Sequence, residues 1–309
     1  MTGHLAINAV VASNGVQGTD MLDFEAIANA SRLHDDSSVK WSDSEVPLHQ
    51  RGVRLEWVID FLKEVDRSWR EVVSRHEEQQ RASNYVDSVP WPDPLPVRPS
   101  QEMTPEFLVE YAVRPMTALS RAPLFARVPD EHRGHPDCFV SHAWSNPLIG
   151  GNAFATLYAV VHSYSSGSRP TFVWLDLICY NQHRVEAVAA DMNSVIASIG
   201  RVALPMINAV PFSRLWCLWE LLCAHVTGAD VGLWEANGSV YDLGYLARQF
   251  ENEFVSVECA GTSLETDRRQ ILEAMVATFG SIHETDEHVR RLVLTGLSKD
   301  SDKPWNRPR

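Results

Sequence analysis

The sequence predicts an α/β protein: a parallel sheet with helices on both faces, preceded by a helical extension. Three observations carry that expectation. From Met103 onward, short apolar runs alternate with segments of helical spacing, and such strand–helix–strand repeats imply parallel pairing through right-handed crossovers. Before residue 100, apolar residues recur at helical rather than strand spacing. Between the two, "VPWPDPLPVRP" (89–99) holds five prolines, too many for a helix or a central strand. The chain therefore divides into an extension (1–100, with a connector at 86–100), an α/β domain (101–295) and a polar tail (296–309).

Composition narrows the class of protein. Of 309 residues, 45% are hydrophobic and 22% charged, enough apolar content for a real core and an ordinary charge density. The net charge of −13 argues against nucleic acid or an anionic membrane as the main partner. Five cysteines, odd in number and without a CxxC pair, read as free thiols in a reducing compartment. The N-terminal run "LAINAVVA" has no Lys or Arg ahead of it, the first being Arg32, unlike a signal peptide. No apolar run reaches the roughly 18 residues of a membrane span. A cytoplasmic protein is expected.

Taken in order, the elements have local causes. Leu55, Val58, Ile59, Leu62, Val65, Trp69 and Val72 fall on one helical face. In "MTPEFLVEYAVRPMTAL", Thr104 is an N-cap, Pro105 suits the first helical position and Glu106 complements the helix dipole. The third position past the cap is Phe107, so the capping box is incomplete. "DCFVSHAW" (137–144), "RPTFVWLDLICY" (169–180) and "GRVALPMI" (200–207) read as buried strands, separated by helices at 151–164 and 186–199. A helix at 213–227 follows. "VGLWEA" (231–236), "FVSVECA" (254–260) and a helix at 266–280 extend the pattern.

In an open parallel sheet, ligands bind beyond the carboxyl ends of the strands, so the residues just past each strand are the candidates. After the first strand come Ser141, His142, Trp144 and the pair Gly150-Gly151. Glycines at a helix start let backbone N–H groups approach an anion; a simple turn is the alternative. After the second come Asp176, Asn181, Gln182 and His183, more hydrogen-bonding groups than a turn needs. The helix "RLWCLWELLCAH" sets Glu220 among tryptophan, leucine and cysteine, with Trp216 and Cys223 on its face. A buried charge costs free energy unless paired or neutralised. Glu220 is thus either the partner of a buried arginine or hydroxyl, or a carboxyl in an apolar pocket wall beside an aromatic platform. Desolvation would raise the pKa of such a carboxyl, suiting it to acid–base work or to stabilising a cationic transition state. His142, Asp176, Cys179 and His183 offer the residue types of a metal site, without HExxH or paired-cysteine spacing. Ser141 and His142 are strand neighbours pointing to opposite faces, so they form no dyad with each other, and no GxSxG elbow or P-loop occurs.

"DCFVSHAWS", "FVWLDLICYNQH" and "SRLWCLWEL" together resemble the TIR (Toll/interleukin-1 receptor) superfamily, most closely a subgroup with FVSHAW, WxDxxxxNQH and RxWCLWEL. The likeness covers about 103–292. It implies a flavodoxin-like sheet. Some TIR domains are adaptors that act by self-association; others cleave the nicotinamide–ribose bond of NAD through the glutamate of the WCxxE helix, the position of Glu220. The resemblance therefore implies an N-glycosidase for which NAD is substrate and no cofactor or metal is needed, with hydrolysis, cyclisation or base exchange as outcomes. A non-catalytic scaffold is the alternative. The loop "CYNQHRVEA" is shorter and more polar than the gating loop of many TIR domains, and residues 1–100 carry no resemblance.

Overall fold

The computed structural model describes residues 22–41, 45–82, 103–144, 170–184, 189–206, 210–235, 243–254, 256–262 and 265–298. The expected helix at 151–164, its glycine pair and the proline-rich connector lie outside the described residues. The protein is α/β, with a mixed six-stranded sheet. Its strands are β1 (Gly52–Arg54), β2 (Arg133–Gly134), β3 (Cys138–Val140), β4 (Phe172–Trp174), β5 (Arg201–Met206) and β6 (Asp230–Glu235), in spatial order β2-β1-β4-β3-β5-β6. From β4 to β6 every pairing is parallel, with Phe139 opposite both Trp174 and Val202. β1 is antiparallel to both of its neighbours. The expected parallel sheet thus gains an antiparallel edge, one strand of which comes from the N-terminal extension.

Glycine makes that edge possible. Gly52 faces Gly134 across the β1–β2 pair, and a Cβ on Gly52 would stand 2.6 Å from the Gly134 carbonyl oxygen. A side chain there would push the strands apart. From β1 the chain enters helix α2 (Leu55–Ala82), which follows helix α1 (Phe24–Ala30) in the chain. The apolar face of α2 is buried at Leu55, Val58, Leu62, Val65, Trp69 and Val72, the expected stripe. Trp57 donates its indole N–H to the Ser31 carbonyl at 2.9 Å, tying α1 to α2. Arg67 pairs with Glu64 and Glu71 on the exposed face, where such pairs add about 0–1 kcal/mol.

Trp69 packs edge-on against Phe107, 4.9 Å between ring centroids, and so joins α2 to α3, the helical segment 105–116. Thr104 caps α3 as expected, its hydroxyl accepting from Phe107 N–H at 3.3 Å. Residues Val109–Val113 of this segment form a π-helical turn. The sheet core is apolar and close-packed: Phe139 stacks on Trp174 at 4.7 Å, both fully buried.

Two apolar runs adopt other structure than expected. In 169–180 the strand stops at Trp174, and Asp176–Cys179 is a helical turn, α4. Backbone bonds from Cys179 to Leu175 and from Tyr180 to Asp176 close this turn, where apolar periodicity alone cannot separate a strand from a buried helix. Within "FVSVECA", Val257–Cys259 is a 3-10 turn whose Ser256 hydroxyl accepts from Glu258 N–H. Helix α5 (Ala189–Ile199) precedes β5, and α6 (Leu215–Thr227) follows it. α6 ends at Gly228, whose φ of 71° is the left-handed conformation that suits glycine. Helices α7 (Leu243–Glu253), α8 (Glu265–Phe279) and α9 (Ile282–Ser298) complete the described chain, and α9 runs into the segment expected to be a tail. Among the described residues no helix is long and apolar enough to cross a membrane.

Candidate functional site

The site begins where β3 ends. Ser141 still donates its backbone N–H to Ala203 of β5 at 2.8 Å, which fixes the residue at the carboxyl ends of the two central strands. Its hydroxyl donates to Glu220 Oε2 at 2.5 Å. Glu220 projects from α6, a helix buried at Leu215 and at every position from Cys217 to Ala224, which is why the carboxyl has so little water. It keeps 9% of its surface exposed. Burial pushes its pKa up from 4.5 to about 8; the Ser141 bond works against this and the nearby Asp176 charge adds to it. Of the two structural partners the sequence allows, the hydroxyl is the one present. No ion pair to Glu220 occurs among the described residues. The thiol of Cys217 is raised well above its usual pKa by burial and by Glu220.

Asp176 is held in the opposite state. His142 Nε2 lies 2.8 Å from its Oδ1, Trp144 Nε1 donates to Oδ2 at 2.7 Å, and Leu177 N–H donates to Oδ1. Burial resists its ionisation, but the His142 charge and hydrogen bond, the Trp144 indole and the Leu177 amide outweigh it. Its carboxyl therefore lies below the usual range. An ionised carboxylate only accepts, so the hydrogen in this contact sits on His142 Nε2. His142 Nδ1 is buried without a hydrogen-bond partner. The expected strand at 137–144 stops at Val140, so Ser141 and His142 follow it rather than lie on it, and they turn to different partners, Glu220 and Asp176. The protein thus sets two acidic groups in contrasting environments, the pattern that separates acid from base in many active sites.

Asn181, Gln182 and His183 each bond within the protein. Gln182 donates to the Asp176 backbone carbonyl at 2.8 Å, which closes the turn beneath the carboxylate. Asn181 donates to the Arg121 carbonyl and accepts from His183 N–H, and His183 Nε2 meets Thr117 Oγ1 at 2.8 Å. These contacts fasten the loop to the end of α3. Arg121 has a φ of 51°, which costs a non-glycine residue about 1–2 kcal/mol, and the Asn181 bond helps hold it there. Burial and the charges of Arg121 and Arg114 keep the His183 pKa down.

Trp216 is half-buried, and its N–H donates to Asp267 of α8 at 3.1 Å, so the indole is anchored by its edge. Sequence reasoning missed Asp267, Arg114 and Thr117. Arg114 donates to the Gln182 carbonyl at 3.0 Å. These contacts span 51 to 68 residues, and no local spacing signals them. Gly150 and Gly151 lie outside the described residues. The buried Cys179 sulfur accepts from Leu175 N–H at 3.4 Å; among the described residues no group of three or more His, Cys, Asp or Glu could hold a metal ion.

No family model, curated protein or solved structure matches the chain.

Proposed function

We propose that the chain is a TIR-like N-glycosidase that cleaves the nicotinamide–ribose bond of NAD or a related nucleotide. One observation carries the reading: Glu220 is a buried carboxyl beside the carboxyl ends of parallel strands, held by Ser141 and by no cation among the described residues. Counted alone, the parallel strands β4-β3-β5-β6 run second, first, third, fourth. That order supports a flavodoxin-like, TIR-type arrangement with helices on both faces. The order reverses between β3 and β5, where open sheets bind ligands. Ser141 follows the first of these strands, and Glu220 lies on the helix after the second.

A nicotinamide ring bound as its riboside is a cation, and a positive charge beside Glu220 favours the ionised carboxylate. That carboxylate stabilises the oxocarbenium-like state as neutral nicotinamide leaves. Trp216, four residues earlier on α6, offers an indole face to a flat ring, while Asp267 holds its edge. Water, an internal nucleophile or a second base then captures the ribosyl cation. Purified protein incubated with NAD should release nicotinamide, and Glu220→Gln should lower kcat by about 10²–10⁴-fold with KM little changed. A folded wild type that releases no base from any of a panel of nucleotides would overturn the proposal.

A further inference from the structure

We propose that this site also releases neutral nucleobases, with protonated Glu220 as general acid and Asp176 as the fixed negative charge beside it. The inference rests on the N-glycosidase reading and extends it to a second class of substrate, purine nucleotides.

Geometry assigns the proton. Glu220 is nine-tenths buried, its one hydrogen-bond partner among the described residues is a neutral hydroxyl, and its carboxyl feels Asp176 as a like charge. An ionised carboxylate in that setting costs several kcal/mol, so the group is neutral when the site is empty. Asp176 takes the charge because an imidazole, an indole and a backbone amide all turn hydrogens toward it. The Ser141 hydroxyl donates to Oε2, which leaves Oε1 to carry the proton. Among the described residues no hydrogen bond to Oε1 is made, and the residue keeps 9% of its surface exposed at this end of the sheet. The groups that bear on Glu220 are Ser141 from the end of β3 and Asp176 from α4, with the Cys217 and Cys223 thiols on its own helix. From α8, Asp267 turns to Trp216 instead. Burial, and next the Asp176 charge, raise the Glu220 pKa to about 8, in keeping with this placement.

A neutral acid is of no use to a pyridinium leaving group, which departs as a neutral base without a proton. A purine differs. When its C1′–N bond breaks, the bonding pair goes to the base, and the departing ring is a poor leaving group unless it is protonated. Glu220 Oε1 gives its proton to a ring nitrogen of the purine, and the C1′–N bond then breaks to leave a neutral base and a ribosyl cation. Water adds to C1′, and its released proton returns to the Glu220 carboxylate. Nucleotide and water become free base and ribose phosphate, with the acid regenerated.

The test compares adenosine monophosphate with nicotinamide mononucleotide, which differ only in the leaving base, using the full chain from pH 6 to 9. Expected is adenine release that is level at low pH and falls about tenfold per pH unit above about 8, while nicotinamide release rises toward that pH. Ser141→Ala, which removes the bond favouring the ionised form, should move the falling limb to higher pH. Glu220→Gln should abolish the limb along with adenine release. Nicotinamide release without adenine release overturns this inference and leaves the N-glycosidase reading standing. Adenine release that rises with pH also overturns it. A folded protein that releases neither base overturns both.

Discussion

Replacing Glu220 by glutamine should stabilise the protein, and by more as the pH rises. The carboxyl ionises near 4.5 in an unfolded chain but near 8 in the folded one, chiefly through burial. Between those values the folded state keeps a proton that the unfolded state has released, so raising the pH favours unfolding. The stabilising contribution is complete below pH 4.5 and is lost as the pH approaches 8. At about 1.4 kcal/mol per pH unit, the full loss is about 5 kcal/mol, as large as the whole stability of a modest domain. Glutamine keeps the shape, can still accept from Ser141 and never ionises. Chemical denaturation of both proteins from pH 5 to 9 should give curves that nearly meet at pH 5. They should diverge by several kcal/mol at pH 8, with the variant more stable. Parallel curves, or a variant less stable at every pH, would refute the reasoning, because a Glu220 that is well solvated or ion-paired has no such slope.

Other substitutions test the surroundings. Asp176→Asn removes the charge and leaves a single acceptor oxygen for bonds that now go to Oδ1 (His142, Leu177) and Oδ2 (Trp144); it should cost about 1–3 kcal/mol and lower the Glu220 pKa, read as a pH slope that ends at lower pH with a smaller total loss. Gly52→Ala sets a Cβ 2.6 Å from the Gly134 carbonyl oxygen and the Pro136 nitrogen, and should cost about 1–3 kcal/mol in thermal or chemical denaturation. Asp267→Ala frees the Trp216 indole and should raise KM for base release several-fold with kcat nearly unchanged, as loss of ground-state stacking does.

Legibility in the sequence followed the range of the interaction. The parallel strands were readable because each is a short apolar run closed by polar residues: Phe139 and Val140 before Ser141, Val173 and Trp174 before Asp176. The α2 stripe was readable for the same reason. β1 and β2 were not, because "GVR" and "RG" contain no run to detect. Their pairing depends on two glycines 82 positions apart meeting without side chains. Asp176 was legible as a candidate but misplaced within a strand, since the turn it starts is closed by backbone bonds from Cys179 to Leu175 and from Tyr180 to Asp176 that apolar periodicity does not signal. At the site, the residue types were visible and the partnerships were not. Ser141 and Glu220 are 79 residues apart, and only the β3–β5 register brings them together. Asn181 and His183 have the polarity of ligand-binding residues, but their bonds to Arg121 and Thr117 hold the loop.

The energetic balance at Glu220 is itself an argument for function. pH 7 lies about 2.5 units above the carboxyl's unfolded-state pKa and still below its folded one, which by linkage amounts to about 3 kcal/mol of lost stability. A leucine or glutamine on this apolar helix would avoid that loss. Nothing in the packing requires a carboxyl: α6 is capped by Gly228, Trp219 ties it to α5 through the Ala189 carbonyl, and its other buried positions are apolar or thiol. Ser141 would find an acceptor in glutamine as readily. The acidic group therefore makes no contribution to the fold that a neutral isostere could not make. It costs stability at the sheet end where ligands bind. What remains to account for it is the property glutamine lacks, the capacity to give up a proton and take it back.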